Sequence, residues 1–317
     1  MCIRDRNYFG KIAAKDESFT ALNTAFARDG AFIYVPNNTI LSKPIQVVYF
    51  STGVSQEVMY QPRNLIVIGD NAQAQIIECH QTLDGVANLT NAVTEVNVGK
   101  NAEVQIHKFQ NDSDNVSLID NVYINQERDS RASVFTFAFG GKIVRNNLNF
   151  YQNGENCNSI LDGVTIIDKK QHVDHHTLVV HNYPNCESHE LYKGIYADEA
   201  HGVFNGKIYV HKEAQKLNAF QQNNNVLLSD SASIDTKPQL EIFADDVKCS
   251  HGCTVGQLDE DAMFYMQQRG IGKEVAQALL LYAFAADALQ HVTIPQVTAK
   301  VNQLVANKLG VSIDFDL

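Results

Sequence analysis

Two stretches of the sequence resemble each other: Gly69–Ile76 reads GDNAQAQI, and Gly99–Ile106 reads GKNAEVQI. A weaker similarity links Asp198–Ala200 with Asp230–Ala232. Each stretch indicates a turn with a small residue, followed by a short strand. A turn that recurs before short strands is typical of a stacked β-helix, because each coil buries its apolar face only against its neighbours.

The region from about residue 31 to about residue 255 is rich in β-forming residues and shows no long helical periodicity. Short apolar runs alternate there with Asn, Gly and Asp; they include Leu65–Ile68, Ala74–Ile77, Val93–Val98, Val104–Ile106, Val134–Phe137 and Val164–Ile167. Such a long succession of strands without helices predicts an all-β fold. The pattern by itself leaves a β-helix and a β-sandwich both open.

Three helices are predicted after the strand-rich region. Asp259 is a suitable N-cap for a helix from about Glu260 to Gln268, which Gly270 would end. A second helix is expected from about Lys273 to Gln290, and Pro295 should open a third that runs to about Leu309.

The second predicted helix has a wide apolar surface. One face is lined at helical spacing by Val275, Leu279, Tyr282, Ala286 and Leu289. The surface is extended beyond one stripe by Leu280, Leu281 and Phe284. A helix this apolar is either buried within its own fold or used to bind a partner.

The composition is that of an ordinary folded protein, with 317 residues, 44% hydrophobic and 19% charged, and a net charge of −11. No run of Lys or Arg is dense enough to follow a phosphate backbone, which argues against a nucleic-acid partner. The start, Met1–Arg6, lacks the apolar segment of a secretory signal, and no apolar stretch approaches the length of a membrane span. The six cysteines are sparse and irregularly spaced, as expected for reduced thiols in the cytoplasm.

Longer stretches give a more specific indication. They are Thr20–Phe26, Asp29–Pro36, Asp129–Arg131, Gly140–Asn146, Lys170–Asp174, Glu190–Gly194, Gly202–Ile208 and Thr236–Gly252. In register over roughly Phe19 to Leu289, they resemble the SufB/SufD family of the SUF iron–sulfur cluster assembly system. The sequence of Lys248–Gly252 (KCSHG) is similar to that of the SufD branch rather than to that of SufB.

The resemblance implies a right-handed parallel β-helix with a C-terminal α-helical segment. Its expected parts are an N-terminal remnant at residues 1–30, a β-helix core at 31–256 and a helical docking region at 257–317. It implies a noncatalytic scaffold subunit that pairs with SufB through the β-helices and docks the ATPase SufC on the C-terminal helices. The expected SufC contacts are Val275, Leu279, Leu280 and Phe284.

No permanently bound cofactor is expected from the resemblance, only transient iron or a nascent Fe–S cluster. Whether the isolated chain also forms a homodimer is left open. The helical N-terminal region of family members is almost wholly absent, and Met1–Arg6 fits no family pattern. The chain is therefore expected to be a fragment or a truncated form.

Cys249, His251 and Cys253 alternate along one segment of the sequence. On a strand they would share one face, and thiolate and imidazole are ligands that iron and iron–sulfur species prefer. The alternative is that the cysteines are small buried residues and that His251 is a hydrogen-bonded inner residue. The resemblance implies a role for His251 in nascent cluster assembly at the SufB–SufD junction, and it supports Cys249 less strongly. Cys253 gains no support, because it stands where the family usually has Ala.

We therefore predict His251 and Cys249 as cluster-binding residues, with Cys253 as a further candidate iron ligand. A second His-rich stretch would place His172, Asp174 and His176 on one face, although a structural role is the simpler interpretation.

No P-loop and no Gly-x-Ser-x-Gly motif occurs, so ATP hydrolysis must come from a partner and no enzyme is predicted. Two alternatives stay open at this point, since a fold does not determine a function. One is a β-helix enzyme of extracellular type that acts on polysaccharide, and the other is a stand-alone Cys/His metal-binding protein.

Overall fold

The described part of the chain is a coil of short strands, with a helix before it in the sequence and further helices after it. A computed structural model describes residues 7–14, 16–52, 58–83 and 85–310, so the Met1–Arg6 lead lies outside the described residues. The helix before the strands is α1 (Ser18–Phe26). The strands are β1 (Phe32–Val35), β2 (Ile45–Ser51), β3 (Val58–Tyr60), β4 (Arg63–Ile68), β5 (Gln73–Thr82), β6 (Asn88–Val98), β7 (Glu103–Gln110), β8 (Val116–Gln126), β9 (Arg131–Ala138), β10 (Ile143–Gln152), β11 (Asn158–Ile167), β12 (His172–His181), β13 (Glu187–Tyr196), β14 (His201–Val210), β15 (Leu217–Leu227), β16 (Ser233–Thr236), β17 (Gln239–Ile242) and β18 (Val247–Gly256).

The strands form two sheets that the chain visits in turn. Sheet 1 runs in the order β1-β4-β6-β8-β10-β12-β14-β16, with β3 beside β6 and β17 beside β14. Sheet 2 runs in the order β2-β5-β7-β9-β11-β13-β15-β18. The pairings between these strands are parallel, so each coil stacks on the coil before it. This architecture confirms the predicted β-solenoid and excludes the β-sandwich alternative, which is built from antiparallel sheets.

An asparagine ladder forms the turn that the sequence repeat predicts. Asn38, Asn71 and Asn101 have positive φ angles of 60°, 57° and 54°, a left-handed conformation that Asn tolerates better than most residues. Asn71 Nδ2 donates to Asn38 Oδ1, and Asn101 Nδ2 donates to Asn71 Oδ1, each over 2.9 Å. The next residue in each repeat, Ala72 or Ala102, is fully buried. The repeated Gly-x-Asn-Ala therefore encodes one corner of the coil.

The main hydrophobic core fills the space between the two sheets. Sheet 1 contributes Ile66, Val96 and Val122, among others, and sheet 2 contributes Ile76, Ile106 and Val134. Side chains alternate along a strand, so the outer face of each sheet needs a cover of its own. The two terminal segments of the chain provide part of that cover.

The N-terminal segment covers sheet 1 near β6 and β8. Thr20 Oγ1 lies 2.9 Å from the hydroxyl of Tyr123 on β8. Asn23 Nδ2 donates to the backbone carbonyls of Pro62 and Asn91, over 2.9 and 2.8 Å. These long-range contacts hold α1 in place. This helix was not among the predicted elements.

The C-terminal segment lies on the outer face of sheet 2. It comprises α2 (Glu260–Gln268), α3 (Lys273–Ala286), a short 3-10 helix (Asp287–Leu289) and α4 (Pro295–Lys308), close to the predicted bounds. The Asp259 carboxylate accepts hydrogen bonds from the backbone N–H groups of Asp261 and Ala262, which confirms the predicted N-cap. None of the helices in the described ranges is long and apolar enough to cross a bilayer.

Helices α3 and α4 bury much of their apolar surface against that sheet. Leu281 and Val301 share one buried cluster with Phe137 and Ile166, which point outward from sheet 2. The polar connection between the helices is also tied down, because His291 Nδ1 lies 2.7 Å from Asp162 Oδ2. The apolar face of the second predicted helix is thus used partly within the fold itself.

Candidate functional site

The last strand, β18, forms an open end of the coil. In the described part of the chain it pairs with β15 alone, so its other edge has no strand beside it. Cys249, His251 and Cys253 lie opposite Ala219, Gln221 and Asn223 of β15. Those three β15 residues are buried on the inner face of the coil. The three β18 residues therefore share this inner face, as the alternation of the sequence predicts.

The three β18 side chains differ in exposure. Cys249 is half-buried against the apolar cluster that contains Leu217 and Ala219, and burial raises the pKa of its thiol. His251 and Cys253 are exposed at the rim of the last coil. Cys249 thus has part of the character of a packing residue, whereas the other two are accessible to a ligand or a partner.

The described residues do not assemble a complete metal site. Among them, no group of three or more His, Cys, Asp or Glu side chains is placed to hold a metal ion. The assignment of Cys249, His251 and Cys253 as iron ligands therefore stays a prediction. Any ligand set that includes them would need a donor from another molecule or a rearrangement of this rim.

The second His-rich stretch makes contacts on the outer face of sheet 1. The Asp174 carboxylate lies 2.9 Å from Arg145 Nη1 and 2.9 Å from His176 Nε2. The His172 ring stacks on His201, with ring centroids 5.0 Å apart. These contacts favour the structural interpretation of the stretch.

A buried polar column continues from β18 into the coil. Glu190, Gln221 and His251 occupy matching register positions on β13, β15 and β18. Gln221 Nε2 donates to Glu190 Oε2 over 2.6 Å. Burial raises the pKa of the Glu190 carboxyl to about 7, even though the hydrogen bond from Gln221 favours its charged form. Sequence reasoning missed this column because only the coil register brings Glu190 beneath His251.

Replacing Glu190 with glutamine should stabilise the protein at neutral and alkaline pH. The native pKa is raised from 4.5 to about 7, so the native state loses stability relative to the unfolded state as the pH rises through that window. We expect Glu190→Gln to exceed the wild type by about 3 kcal/mol in unfolding free energy at about pH 8, and to match it below about pH 4.5.

Urea unfolding across this pH range measures that difference, with Glu187→Gln as the control because Glu187 is exposed on the same strand. A pH-independent difference between Glu190→Gln and the wild type would contradict the assignment of a buried titrating carboxyl.

A second buried polar cluster lies in the N-terminal coils, between the two sheets. Lys108 Nζ contacts Glu78 Oε1 and Asp120 Oδ2, each over 2.8 Å. Burial disfavours the charged form of Glu78, but Lys108 and His80 outweigh it and lower the pKa of that carboxyl to about 2. Burial raises the pKa of Asp120 above its ordinary value. Two carboxylates therefore share one ammonium inside the coil.

The predicted docking residues on α3 differ in accessibility. Val275 is 47% exposed, whereas Leu279 and Leu280 are half-buried. Phe284 packs in the cluster between helix and sheet, with Lys193 Nζ 4.5 Å from its ring centroid. Helix α2, which contacts α3, adds two more exposed aromatic side chains: Phe264 at 61% and Tyr265 at 58%. Sequence reasoning missed these two, although both are apolar residues on a predicted helix.

Comparison with known protein families decides the class of this protein. The family described as "SUF system FeS cluster assembly, SufBD core domain" matches residues 50–284, most of the coil and half of the helical segment. The chain belongs to the SufBD family. The SufBD N-terminal region matches residues 5–47 as well. Membership places the chain among iron–sulfur cluster assembly proteins rather than among polysaccharide-active enzymes.

Individual members of the SufBD family are similar over most of the chain. An iron–sulfur cluster assembly SufBD family protein of Synechocystis is 35% identical over 310 residues, which are 95% of this chain and 68% of that protein. The iron–sulfur cluster assembly protein SufD of Escherichia coli is 34% identical, over 92% of this chain and 70% of that protein. SufD of Bacillus subtilis is 30% identical, over 95% of this chain and 70% of that protein.

Proposed function

We propose that this chain is a noncatalytic scaffold subunit of a cytoplasmic SUF complex, in which it pairs with SufB, docks the ATPase SufC and contributes to iron supply and nascent cluster assembly. The observation that carries the proposal is the open strand β18. Its free edge and its exposed His251 and Cys253 are presented at the same end of the coil.

The free edge of β18 suits a partner with the same coil architecture. An edge strand presents unpaired backbone N–H and C=O groups, which another strand can pair with. A repeat protein also needs a cap on its terminal repeat, because each coil is stabilised by its neighbours. SufB is the proposed partner at this edge, and a second copy of the chain is the alternative in its absence.

The side chains at this rim suit the transient binding of iron or a nascent cluster. Imidazole and thiolate are suitable donors, but the described residues supply too few of them for a stable site. We infer that donors from the partner complete the ligand set when the two coils meet. The iron or cluster is then cargo that the complex holds and passes on.

The exposed apolar side chains on α2 and α3 are the proposed SufC contacts. Phe264→Asp and Val275→Asp should each weaken SufC binding by roughly 2 kcal/mol or more, because buried large side chains dominate interface energies. The measurement is the affinity of the purified chain for SufC by calorimetry. Phe284 is a poorer test position, because its substitution would also disturb packing on sheet 2.

The matched control for docking is Phe26→Asp on α1, a phenylalanine that is 60% exposed far along the chain from α2. It should leave SufC affinity unchanged. If the Phe264→Asp, Val275→Asp and wild-type proteins bound SufC with equal affinity, the docking site would have to lie outside these helices.

Anaerobic reconstitution with ferrous iron and sulfide, with and without SufB and SufC, tests the proposed function as a whole. A cluster that forms efficiently only when all three proteins are present supports a scaffold role within a complex. A cluster that forms equally well on this chain alone would instead identify a stand-alone metal-binding protein.

A further inference from the structure

We propose that Gln221 is a positioning residue for His251: its side-chain carbonyl accepts a hydrogen bond from one nitrogen of the imidazole and leaves the other free to bind iron. Glu190 holds the Gln221 amide in the orientation that this requires. The inference rests on the proposed function, in which His251 binds iron or a nascent cluster.

The register of the coil aligns the three side chains. Glu190 pairs with Gln221, and Gln221 pairs with His251, so the three residues stack on the inner face of consecutive strands. Neighbouring strands lie about 4.8 Å apart. The side chain of Gln221 can therefore reach the imidazole ring of His251 on the next strand. Glu190 and Gln221 are buried, whereas His251 is exposed at the rim.

The hydrogen bond to Glu190 determines which end of the Gln221 amide faces His251. Above its pKa of about 7 the Glu190 carboxyl is ionised and can only accept hydrogen bonds, so the NH₂ group of Gln221 must point toward it. This bond is present, with 2.6 Å between Gln221 Nε2 and Glu190 Oε2. The carbonyl oxygen Oε1 of Gln221 is the other end of the same amide.

That carbonyl oxygen is an unused acceptor. Gln221 Oε1 is buried and accepts no hydrogen bond from any residue that the structure describes. A buried acceptor without a partner carries a cost of desolvation, so a donor that becomes available should be drawn to it. His251 is the next side chain in the column, and an imidazole ring always carries at least one N–H donor.

Gly206 on β14 provides the space that the Gln221 amide occupies. A Cβ atom at position 206 would lie 2.2 Å from Gln221 Nε2. The absence of a side chain there lets the amide extend across the inside of the coil. The orientation of Gln221 is therefore set by two coils at once.

The proposed contact matches the way in which metal-binding histidines are usually held. Such a histidine donates its second ring N–H to a carboxylate, a carbonyl or a water, and this bond fixes both the tautomer and the ring orientation. Loss of such an outer partner typically costs about 10–100-fold in metal affinity or activity. Gln221 would supply this bond through an amide carbonyl.

The direct test is the tautomer of His251 in the full chain, measured by ¹⁵N NMR of histidine-labelled protein at mildly alkaline pH. The His251 signals are assigned by their loss in His251→Ala. We expect one tautomer in the wild type and a mixture of both in Gln221→Met, which keeps the side-chain volume but removes the acceptor. Gln222→Met is the matched control, because Gln222 is exposed on the opposite face of the same strand.

Glu190→Gln provides a second variant with the same volume. A neutral amide can donate as well as accept, so Gln221 is free to turn and the tautomer preference of His251 should weaken. An unchanged single tautomer in both Gln221→Met and Glu190→Gln would overturn the inference.

Cluster yield separates this inference from the proposed function. In reconstitutions with SufB and SufC, Gln221→Met should lower the yield about 10-fold or more, and Gln222→Met should not. Wild-type yield from His251→Ala would contradict the proposed function, while a shifted tautomer in Gln221→Met would still support the contact between Gln221 and His251. Loss of yield in His251→Ala with an unshifted tautomer in Gln221→Met would support the proposed function and contradict this contact.

Discussion

Replacement of Glu95 by alanine is expected to lower the free energy of unfolding by about 3–5 kcal/mol, the usual cost of removing one partner from a buried ion pair. Glu95 is fully buried, and its Oε1 lies 2.6 Å from Arg63 Nη2. Its two oxygens also accept hydrogen bonds from the backbone N–H groups of residues 10–13, over 2.8–3.2 Å. The substitution would leave a buried guanidinium and four backbone donors without this acceptor.

Chemical denaturation measures the loss, and limited proteolysis shows where it acts. Because Glu95 anchors the N-terminal segment, cleavage between residues 7 and 26 should become faster before the coil itself unfolds. The exposed Glu127 is the control, and Glu127→Ala should change stability by no more than about 0.5 kcal/mol. A loss below about 1 kcal/mol in Glu95→Ala would contradict the anchoring role.

Replacement of Lys108 by methionine is expected to have an effect of similar size, again about 3–5 kcal/mol near pH 7. The Lys108 ammonium is buried between the carboxylates of Glu78 and Asp120, each at 2.8 Å. Methionine preserves most of the volume but removes the ammonium that the two carboxylates share inside the coil. The loss should shrink at acidic pH, because protonated carboxyls no longer repel each other.

A triple variant separates charge from packing in this cluster. Glu78→Gln, Asp120→Asn and Lys108→Met together remove all three charges while keeping the shapes, so most of the lost stability should return. Urea unfolding of the single and triple variants is the comparison. A triple variant that is as unstable as Lys108→Met would show that the lysine acts through packing rather than through its charge.

Local turn chemistry made the coil predictable from the sequence. Asn71 and Asn101 precede buried alanines in two similar stretches, and a left-handed Asn followed by a small inward residue is a property of a few consecutive residues. The Asp259 cap was predictable for the same reason. The pattern alone did not exclude a β-sandwich, because a succession of strands and turns does not show which strands pair with each other.

Contacts between distant residues were not predictable in this way. The backbone donors at residues 10 and 13 lie 85 and 82 positions from Glu95, and no local pattern links them. The Glu190–Gln221 pair depends on the number of residues in a coil, which varies along the chain. The apolar width of α3 was visible, but only packing shows that sheet 2 covers Leu281 and leaves Val275 exposed.

The candidate site was predictable in its placement but not in its surroundings. Alternation correctly put Cys249, His251 and Cys253 on one face of a strand. That this strand is the last of its sheet, with a free edge, follows from the way the coil ends and not from the residues of the strand.

The cluster yield of a complex that carries His251→Ala tests the central claim most directly. The purified complex with SufB and SufC is reconstituted anaerobically with iron and sulfide, and its bound cluster is quantified by absorbance and iron content. His201→Ala, on the outer face of sheet 1, serves as the matched histidine control. Cys249→Ala should have a milder effect than His251→Ala, and Cys253→Ala almost none.

The His251→Ala complex should assemble normally, since a strand tolerates alanine at an exposed position, and it should lose at least about 10-fold in cluster yield. Normal assembly with this loss would establish that the rim of the coil acts in cluster formation. Wild-type yield from the His251→Ala complex would contradict the account and reduce the Cys/His strand to packing at the end of the coil.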